Sequence, residues 1–234
     1  MLVLALEGVI KDYRGLRPLR VKHLEVREGQ SVALLGFDQA AAEVFVNLVT
    51  GATVPDSGDV RVFGQSTTAT TDADTWLASL DNFGILSERA VLLDALTAMQ
   101  NLAMPFTLEV DPIPEAVRPQ VAALAEEVGL EPAETLRAVG ELPPLARARV
   151  RLGRALALNP RVIVAEHPNA MLAGNDVPVF AADFAKAVAA RKLTSVTVTA
   201  DRTFAAAVAD DVLTLQPATG ELRAAAGWRR WFGG

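Results

Sequence analysis

The stretch that most constrains the fold is LLGFDQAAAEVF, which covers residues 34–45. Two apolar residues end a predicted strand, Gly36 closes it, and the apolar positions of residues 40–50 then repeat at helical spacing. A strand, a glycine loop and a helix in this order form the frame of a phosphate-binding loop. The lysine that such a loop uses is missing here. The four lysines of the chain lie elsewhere: Lys11, Lys22, Lys186 and Lys192.

Composition excludes several kinds of protein. The chain has no cysteine and two histidines, His23 and His167, which excludes disulfides, thiolate catalysis and metal sites built on sulfur or clustered imidazoles. We therefore expect no metal site. A net charge of −6 argues against binding to nucleic acid, which usually needs a concentrated basic face. Since no apolar run approaches roughly 20 residues and charge follows the N-terminus closely, we expect a soluble cytoplasmic protein without a signal peptide.

The order of predicted strands and helices indicates an α/β fold. Up to residue 63 the patterns are mostly those of strands, apart from the helix at 40–50. Residues 89–150 are mostly helical in pattern, with a break at 109–119, where three prolines occur. Strands then alternate with helices, which predicts a mostly parallel sheet. We predict one domain over residues 1–234, with a core of residues 1–85 and 155–234 and an inserted helical lobe at about 86–154.

Several longer segments stand in a familiar order. They are TGATVPDSGDVRVFG at residues 50–64, LLDALTAMQNLAMP at 92–105, RALALNPRVIVAE at 154–166 and VTVTADRTFAAAVADDVLTL at 196–215. In sequence and spacing, together with the loop at residues 36–43, they resemble the ATP-binding subunits of ABC transporters over nearly the whole chain. The resemblance implies a P-loop NTPase-like ABC ATPase fold, with a mostly parallel sheet, an antiparallel β region and an inserted helical lobe.

The resemblance also assigns candidate nucleotide-binding residues, most of which differ from the family's own. In the phosphate loop G-x-x-x-x-G-K-[ST], Gly36 is retained, whereas Ala41 and Ala42 replace the second glycine and the lysine. Glu43 replaces the hydroxyl residue that binds Mg²⁺. The other candidates are the adenine-stacking aromatic, a carboxylate in the loop and the Q-loop position: Tyr13, Asp38 and Glu88.

The remaining motifs of the family are altered as well. The Walker B acid corresponds to Glu166, and His167 stands at the catalytic glutamate, where it could act as a base. Ala173 replaces the dimer-loop aspartate, and Ala200 replaces the switch histidine. The signature L-S-G-G-Q is replaced by residues without its serine hydroxyl and its glycine amides: Leu142, Pro143, Pro144, Leu145 and Ala146.

These replacements predict weak nucleotide binding. Loss of the lysine removes a charge-assisted contact worth roughly 1.5–3 kcal/mol, and Glu43 would repel a phosphate by roughly 1–4 kcal/mol. The sum lowers the expected affinity by roughly two to five orders of magnitude. Asp38 or Glu43 can instead satisfy the free N–H groups at the helix N-terminus. Plainer interpretations stay open: a strand-to-helix turn without a ligand, Glu166 paired with a nearby arginine, and His167 as a packed residue.

Two functions follow from the resemblance. The first is a non-catalytic ABC-type ATPase homologue, inactive or very weak as an enzyme, that serves as scaffold or regulatory partner of a membrane permease or of an active ATPase subunit. For this first function we expect no cofactor. The alternative is a divergent ABC transporter ATP-binding subunit, with ATP and Mg²⁺ as cofactors and slow hydrolysis supported by Glu166 and His167. A homodimer and a cleft reused for another ligand also stay open.

The end of the chain has its own chemistry. Three aromatic residues, Trp228, Trp231 and Phe232, flank Arg229 and Arg230. This pattern is typical of a membrane interface or a partner groove. A chain end that folds on its own domain is the plainer alternative. We expect a cytoplasmic protein that a partner can hold at the inner face of a membrane, with the three aromatic residues as a membrane-proximal contact.

Overall fold

The computed structural model describes residues 1–69 and 72–224. In chain order, the elements of these residues are β1 (Leu2–Lys11), β2 (Leu19–Arg27), β3 (Ser31–Leu35), α1 (Gln39–Val49), β4 (Ser57–Val62), β5 (Gln65–Ser66), α2 (Ala73–Leu80), β6 (Phe83–Ser87), α3 (Ala98–Ala103), α4 (Arg118–Glu127), α5 (Pro132–Thr135), α6 (Pro144–Leu156), β7 (Val162–Glu166), α7 (Asp176–Arg191), β8 (Thr194–Val198), α8 (Arg202–Val208), β9 (Asp211–Gln216) and β10 (Glu221–Ala224). Two short 3₁₀ turns lie at Thr67–Ala69 and Val139–Glu141.

The strands form two sheets. The order β10-β9-β3-β8-β7-β6 describes a six-stranded sheet that is parallel except for the edge strand β10. The order β2-β1-β4-β5 describes a smaller antiparallel sheet. Because the parallel strands all run in one direction, the loops that follow β3, β6, β7 and β8 meet at one edge of the large sheet, where α/β folds place their sites.

Alternating strand residues fill two layers of core. Val162 and Val164 point toward α1 and the antiparallel sheet, where Phe45 is fully buried. Ile163 and Ala165 point to the other face, which α6, α7 and α8 cover. Both faces of β7 are therefore apolar, as a strand buried on two sides requires. This packing fixes the position of β7 and therefore the position of Glu166 at its end.

The prediction of a mostly helical stretch at residues 89–150 was too broad. Only α3, α4, α5 and α6 are α-helical within it, and residues 89–97 and 104–117 are turns and loops. Asn101 explains part of the difference, because its side-chain amide exchanges hydrogen bonds with both backbone groups of Leu93 at 2.9 and 3.0 Å and holds that loop on α3. The predicted break was correct, since α4 begins at Arg118.

Residues 67–74, interpreted from sequence as a loop, also contain helix. A 3₁₀ turn covers Thr67–Ala69, and α2 begins at Ala73. Asp72 provides the N-cap, since its carboxylate accepts a hydrogen bond from the N–H of Thr75 at 2.7 Å. The limits of the core and of the helical lobe stay a prediction.

Candidate functional site

The loop after β3 has the backbone geometry of a tight strand-to-helix turn. Gly36 has φ +87°, and a Cβ at this position would lie 2.8 Å from the carbonyl oxygen of Leu215 in β9. Only glycine fits such a backbone without strain. Asp38 then caps α1, and its carboxylate accepts a hydrogen bond from the N–H of Ala41 at 2.8 Å. A side-chain anion of the loop itself therefore occupies the N-terminus of α1.

The two alanines at the glycine and lysine positions of the predicted phosphate loop are packed residues. Ala41 and Ala42 are both buried in the core cluster that contains Phe45. Neither carries a polar atom in its side chain. They supply the apolar face by which α1 packs on the large sheet, and no cation comes from this part of the loop.

Glu166 is the most heavily hydrogen-bonded side chain at this edge of the sheet. It ends β7, and its side chain is 0% exposed. Its Oε1 accepts a hydrogen bond from Gln39 Nε2 at 3.0 Å, and its Oε2 accepts one from Ser87 Oγ at 3.1 Å. Arg89 donates to the same Oε2 from Nε at 3.0 Å and from Nη2 at 2.7 Å. A buried carboxylate needs such a set of donors.

Arg89 also reaches the first turn of α1. Its Nη1 lies 3.2 Å from Oε1 of Glu43, so one guanidinium joins Glu43 to Glu166. These are the two carboxylates that sequence analysis assigns to the Mg²⁺-binding hydroxyl and to the Walker B acid. The cation between them is therefore a side chain of the protein. The plainer interpretation of Glu166, a pair with a nearby arginine, describes this contact.

Glu88, the residue at the Q-loop position, contacts α6 and not Glu166. Its Oε2 lies 2.7 Å from Nη2 of Arg151 on α6. Burial lowers the pKa of Arg151, and the nearby Glu88 carboxylate opposes that effect. Two successive residues thus make opposite contacts, because Glu88 binds the helical region while Arg89 binds the loop and Glu166. The structure does not place the Glu88 carboxylate on the Glu166 cluster.

His167 follows Glu166 in the left-handed backbone region, with φ 43°. Its N–H donates to the carbonyl of Val198 at 2.8 Å, which fixes the turn on β8. The residue is buried, with 8% of its surface exposed, and Nε2 has no hydrogen-bond partner among the described residues. This packing agrees with the plainer interpretation of His167 as a packed residue.

A second polar cluster lies at the same edge, after β8. Thr199 Oγ1 lies 3.0 Å from Asn169 Oδ1, and Asn169 Nδ2 donates to Asp201 at 3.1 Å. Asp201 caps α8 through the N–H groups of Thr203 and Phe204. Ala200, at the switch position, is exposed beside this cluster and has no polar side-chain atom.

The segment at the signature position packs into the helical region. Pro143 is the N-cap residue of α6, and Pro144 is its first residue, so neither offers an N–H at this helix end. Leu142 and Ala146 are buried, and Leu145 packs against the same cluster. The helix has no side-chain cap. Ala173, at the dimer-loop position, follows β7 in a loop before α7.

Tyr13 lies close to the loop, as the resemblance implies for the aromatic residue. It lines a cleft of about 350 Å³ together with Gly36, Asp38 and Ala41. Burial raises the pKa of the Tyr13 hydroxyl, and the Asp38 carboxylate raises it further. Both effects disfavour the ionised form of the Tyr13 hydroxyl. The structure thus brings several of the candidates to one edge: Tyr13, Gly36, Asp38, Ala41, Glu43 and Glu166.

Three residues of the Glu166 cluster were not predicted from the sequence: Gln39, Ser87 and Arg89. A signal for them existed. Ser87 ends β6 and Arg89 follows it, and β6 is the neighbour of β7 in the large sheet. An arginine two residues after one strand and a glutamate at the end of the neighbouring strand are expected to meet at the carboxyl edge of a parallel sheet. The prediction needs the strand order, which the pattern of one strand does not give.

A separate group of potential metal ligands lies on the exposed face of the antiparallel sheet. The ligand atoms of Glu7, His23 and Glu25 all lie within 4.8 Å of one another. His23 Nδ1 is 2.7 Å from Glu7 Oε1, so the pair is joined by a hydrogen bond. These residues are exposed on β1 and β2 and take no part in the Glu166 cluster.

The fold and the loop together define the class of this protein. A glycine loop between a central parallel strand and α1, with an acidic residue at the end of β7, is the architecture of an ATP-binding cassette. The family model described as "ABC transporter" matches residues 19–170, more than half of the chain. The chain therefore belongs to the ABC transporter family of ATP-binding proteins, which confirms the predicted resemblance.

Curated relatives agree with this assignment. The chain is 32% identical over 167 residues to the sulfate/thiosulfate import ATP-binding protein CysA of Gloeobacter violaceus, covering 70% of this chain and 45% of that protein. It is 29% identical over 175 residues to the lipoprotein-releasing system ATP-binding protein LolD of Chromohalobacter salexigens, covering 73% of both. The chain thus spans about half the length of the sulfate import relative.

A solved structure agrees with the fold. The dimeric structure of MJ0796, a bacterial ABC transporter cassette, matches with a TM-score of 0.79 at 23% sequence identity, covering 97% of this chain and 100% of that one. The predicted α/β cassette fold is confirmed. Over residues 1–69 and 72–224, no helix is long and apolar enough to cross a membrane. Trp228, Trp231 and Phe232 lie outside the described residues.

Proposed function

We propose that this chain is a non-catalytic subunit of an ABC-type assembly, in which Arg89 takes the place of the metal ion in the nucleotide site. The subunit would act as scaffold or regulatory partner of a membrane permease or of an active ATPase subunit. The observation that carries the proposal is the guanidinium of Arg89 between Glu43 and Glu166, at 3.2 and 2.7 Å. Both carboxylates already have a cation.

The residues of this edge do not fit Mg-ATP in the arrangement described. A triphosphate needs free N–H groups at the N-terminus of α1 and a cation beside them. Asp38 takes one of those N–H groups, and Arg89 is committed to two carboxylates. Breaking a charge pair that is buried at one end costs roughly 2–4 kcal/mol, so we expect a loss of about one and a half to three orders of magnitude in affinity.

The alternative is a divergent transporter subunit that binds ATP and hydrolyses it slowly. The comparisons fit this function better than the first, because the relatives are named as ATP-binding proteins of import and lipoprotein-releasing systems. In this alternative Arg89 would leave Glu166 before nucleotide enters. Glu166 would then be available to a metal ion, and His167 would be the nearest candidate base.

A groove on another face supports a membrane permease as partner. It has a volume of about 450 Å³ and lies between the end of α2, the first part of β6, the loops on either side of α3 and one side of α6. Two arginines, Arg151 and Arg154, share the lining with apolar residues: Phe83, Ile85, Leu92, Met104 and Leu158. Val91 and Leu93 are also exposed close by in sequence. Such a patch of apolar surface is typical of an interface. A homodimer stays part of the proposal, since the matching cassette structure is dimeric.

The test compares the purified full chain with and without Mg-ATP. If the proposal holds, submillimolar Mg-ATP leaves the melting temperature unchanged, since a ligand that does not bind the folded state does not stabilise it. A rise of several degrees, with phosphate release that disappears in His167→Ala, would favour the alternative. Co-purification from the native host tests the partner: a membrane subunit in the complex places the chain in a transporter, whereas an isolated monomer contradicts both functions.

A further inference from the structure

A second large cavity lies at the opposite edge of the six-stranded sheet from Glu166. It is a trough of about 690 Å³, formed where β3 and β9 begin, between the end of α7 and the helix α8. Small side chains supply much of its lining, namely four alanines: Ala185, Ala189, Ala206 and Ala207. Two carboxylates, Asp210 and Asp211, and one ammonium group, Lys192, stand around it. None of these residues belongs to the site described above.

The described part of the chain ends close to this trough. β10 pairs antiparallel with β9, and its last residue, Ala224, lies opposite Leu213. β10 therefore runs toward the beginning of β9. Asp211, the first residue of β9, lines the trough and lies two residues from Leu213, about 7 Å along a strand. The next residues of the chain start within reach of the cavity.

These next residues have chemistry that complements the trough. Residues 225–234 read AAGWRRWFGG, with three large aromatic side chains and two arginines. Trp228 is four residues beyond Ala224, so a span of up to about 14 Å separates the two. Large aromatic rings bury the most apolar area over a floor of small side chains. The trough carries two carboxylates and a single lysine, so its local charge favours arginine side chains.

We propose that this trough is the docking site of the chain's own C-terminal segment, residues 225–234. The indole rings of Trp228 and Trp231 pack over the alanines of α7 and α8, and Arg229 and Arg230 face Asp210 and Asp211. The connection is short, so closing it costs little conformational entropy. Burial of one indole is enough to favour the docked state by on the order of tenfold or more. The partly exposed ion pairs add less.

Tryptophan fluorescence tests the proposal in the full chain. The chain has three tryptophans, and Trp76→Phe leaves Trp228 and Trp231 as the only emitters. In this variant we expect blue-shifted emission and weak quenching by acrylamide. Adding Ala207→Glu, which puts an acid on the floor, or Asp210→Lys, which reverses a rim charge, should raise the quenching constant severalfold. Glu115→Lys is the matched control, an exposed acid in the loop before α4, and should leave quenching unchanged.

The outcomes separate the possible occupants. Equal quenching in all variants, each folded by circular dichroism, would overturn the proposal. So would tail emission that is red-shifted in the free chain and shifts to the blue only with vesicles of phosphatidylglycerol and phosphatidylcholine, because the tail would then belong to a membrane. If Trp76→Phe does not fold, hydrogen exchange serves instead: replacing Arg229 and Arg230 by glutamate in the natural chain should speed exchange in α8 by about tenfold. Unchanged exchange there would also contradict docking.

Discussion

Replacing Arg89 by alanine tests the reasoning on the candidate site most directly. The substitution removes the guanidinium that Glu166 and Glu43 share and leaves Glu166 with two neutral donors, Gln39 and Ser87. The Glu166 side chain is 0% exposed, so its charge would lose its only ionic partner among the described residues while staying out of water. Breaking a buried pair in this way is expensive, because an uncompensated charge remains.

The magnitude follows from the geometry. A fully buried pair costs about 3–5 kcal/mol when one partner is removed, but Arg89 is 39% exposed, so water can partly replace it. We expect a loss of about 2–3 kcal/mol in the free energy of unfolding. For a chain of this size, 1 kcal/mol shifts the melting temperature by roughly 2–4 °C, so Arg89→Ala should melt roughly 4–12 °C lower.

Two controls separate this effect from a general loss of charge. Arg61→Ala removes an arginine that pairs with Asp59 at 2.6 Å on the exposed face of β4, and should cost less than about 1 kcal/mol. The double variant Arg89→Ala with Glu166→Gln removes both charges of the buried pair, and should recover much of the lost stability. Thermal and urea unfolding measure all four proteins.

The same variant should gain a binding property. Without Arg89, the position that its guanidinium holds between the carboxylates of Glu43 and Glu166 becomes open to a divalent cation, which prefers such oxygen ligands. Millimolar Mn²⁺ or Mg²⁺ should therefore raise the melting temperature of Arg89→Ala and leave the natural chain unchanged. If Arg89→Ala melts like Arg61→Ala and gains no response to Mn²⁺, the assignment of Arg89 as an internal cation is wrong.

Three further predictions address the frame of the site and the acid response of the fold. Gly36→Ala should lower the free energy of unfolding by more than about 2 kcal/mol, since the new Cβ meets a backbone carbonyl of β9 at 2.8 Å. The control is Gly64→Ala, with φ +83° and open space around it, which should cost only about 1 kcal/mol in urea unfolding. Asp38→Ala should cost about 1 kcal/mol as a lost N-cap, measured the same way; no loss would contradict the capping role. Hydrogen bonds from Lys11 and from a backbone N–H lower the pKa of Asp56, so its contribution is present above its unfolded pKa and is lost as pH falls through the lower folded value. Below about pH 4 the natural chain should lose stability more steeply than Asp56→Asn, and parallel melting curves against pH would contradict this.

The fold was predictable to the extent that each local pattern has one physical cause. β3, Gly36 and α1 follow from an apolar run, a backbone that needs glycine and a helical repeat, and all three agree with the structure. Residues 89–97 belong to the stretch of residues 89–150 that was predicted as mostly helical. In the structure Asn101 binds the loop backbone instead, a tertiary contact that no local repeat reveals.

The site was only half predictable for the same reason. Glu43 and Glu166 were identified because the resemblance fixes their positions, and the possibility of an arginine partner for Glu166 follows from the charge alone. That the partner is Arg89 depends on β6 lying next to β7, which brings residues 89 and 166 together across a large gap in sequence. From the sequence, His167 could be either a general base or a packed residue. In the structure its backbone N–H donates to Val198, and its Nε2 has no partner among the described residues.

The opposite orientation of Glu88 and Arg89 has a mechanical consequence. Glu88 holds Arg151 of α6, while the residue next to it holds Glu166 and Glu43, so a single peptide bond ties the helical region to the sheet edge. A ligand that releases Arg89 by moving its backbone also shifts the Glu88 contact with Arg151. Where the two contacts are coupled in this way, a partner that tilts α6 changes the ease of releasing Arg89 by the same factor, by thermodynamic reciprocity. The position of α6 and the access of a ligand to Glu166 are then linked through two neighbouring residues.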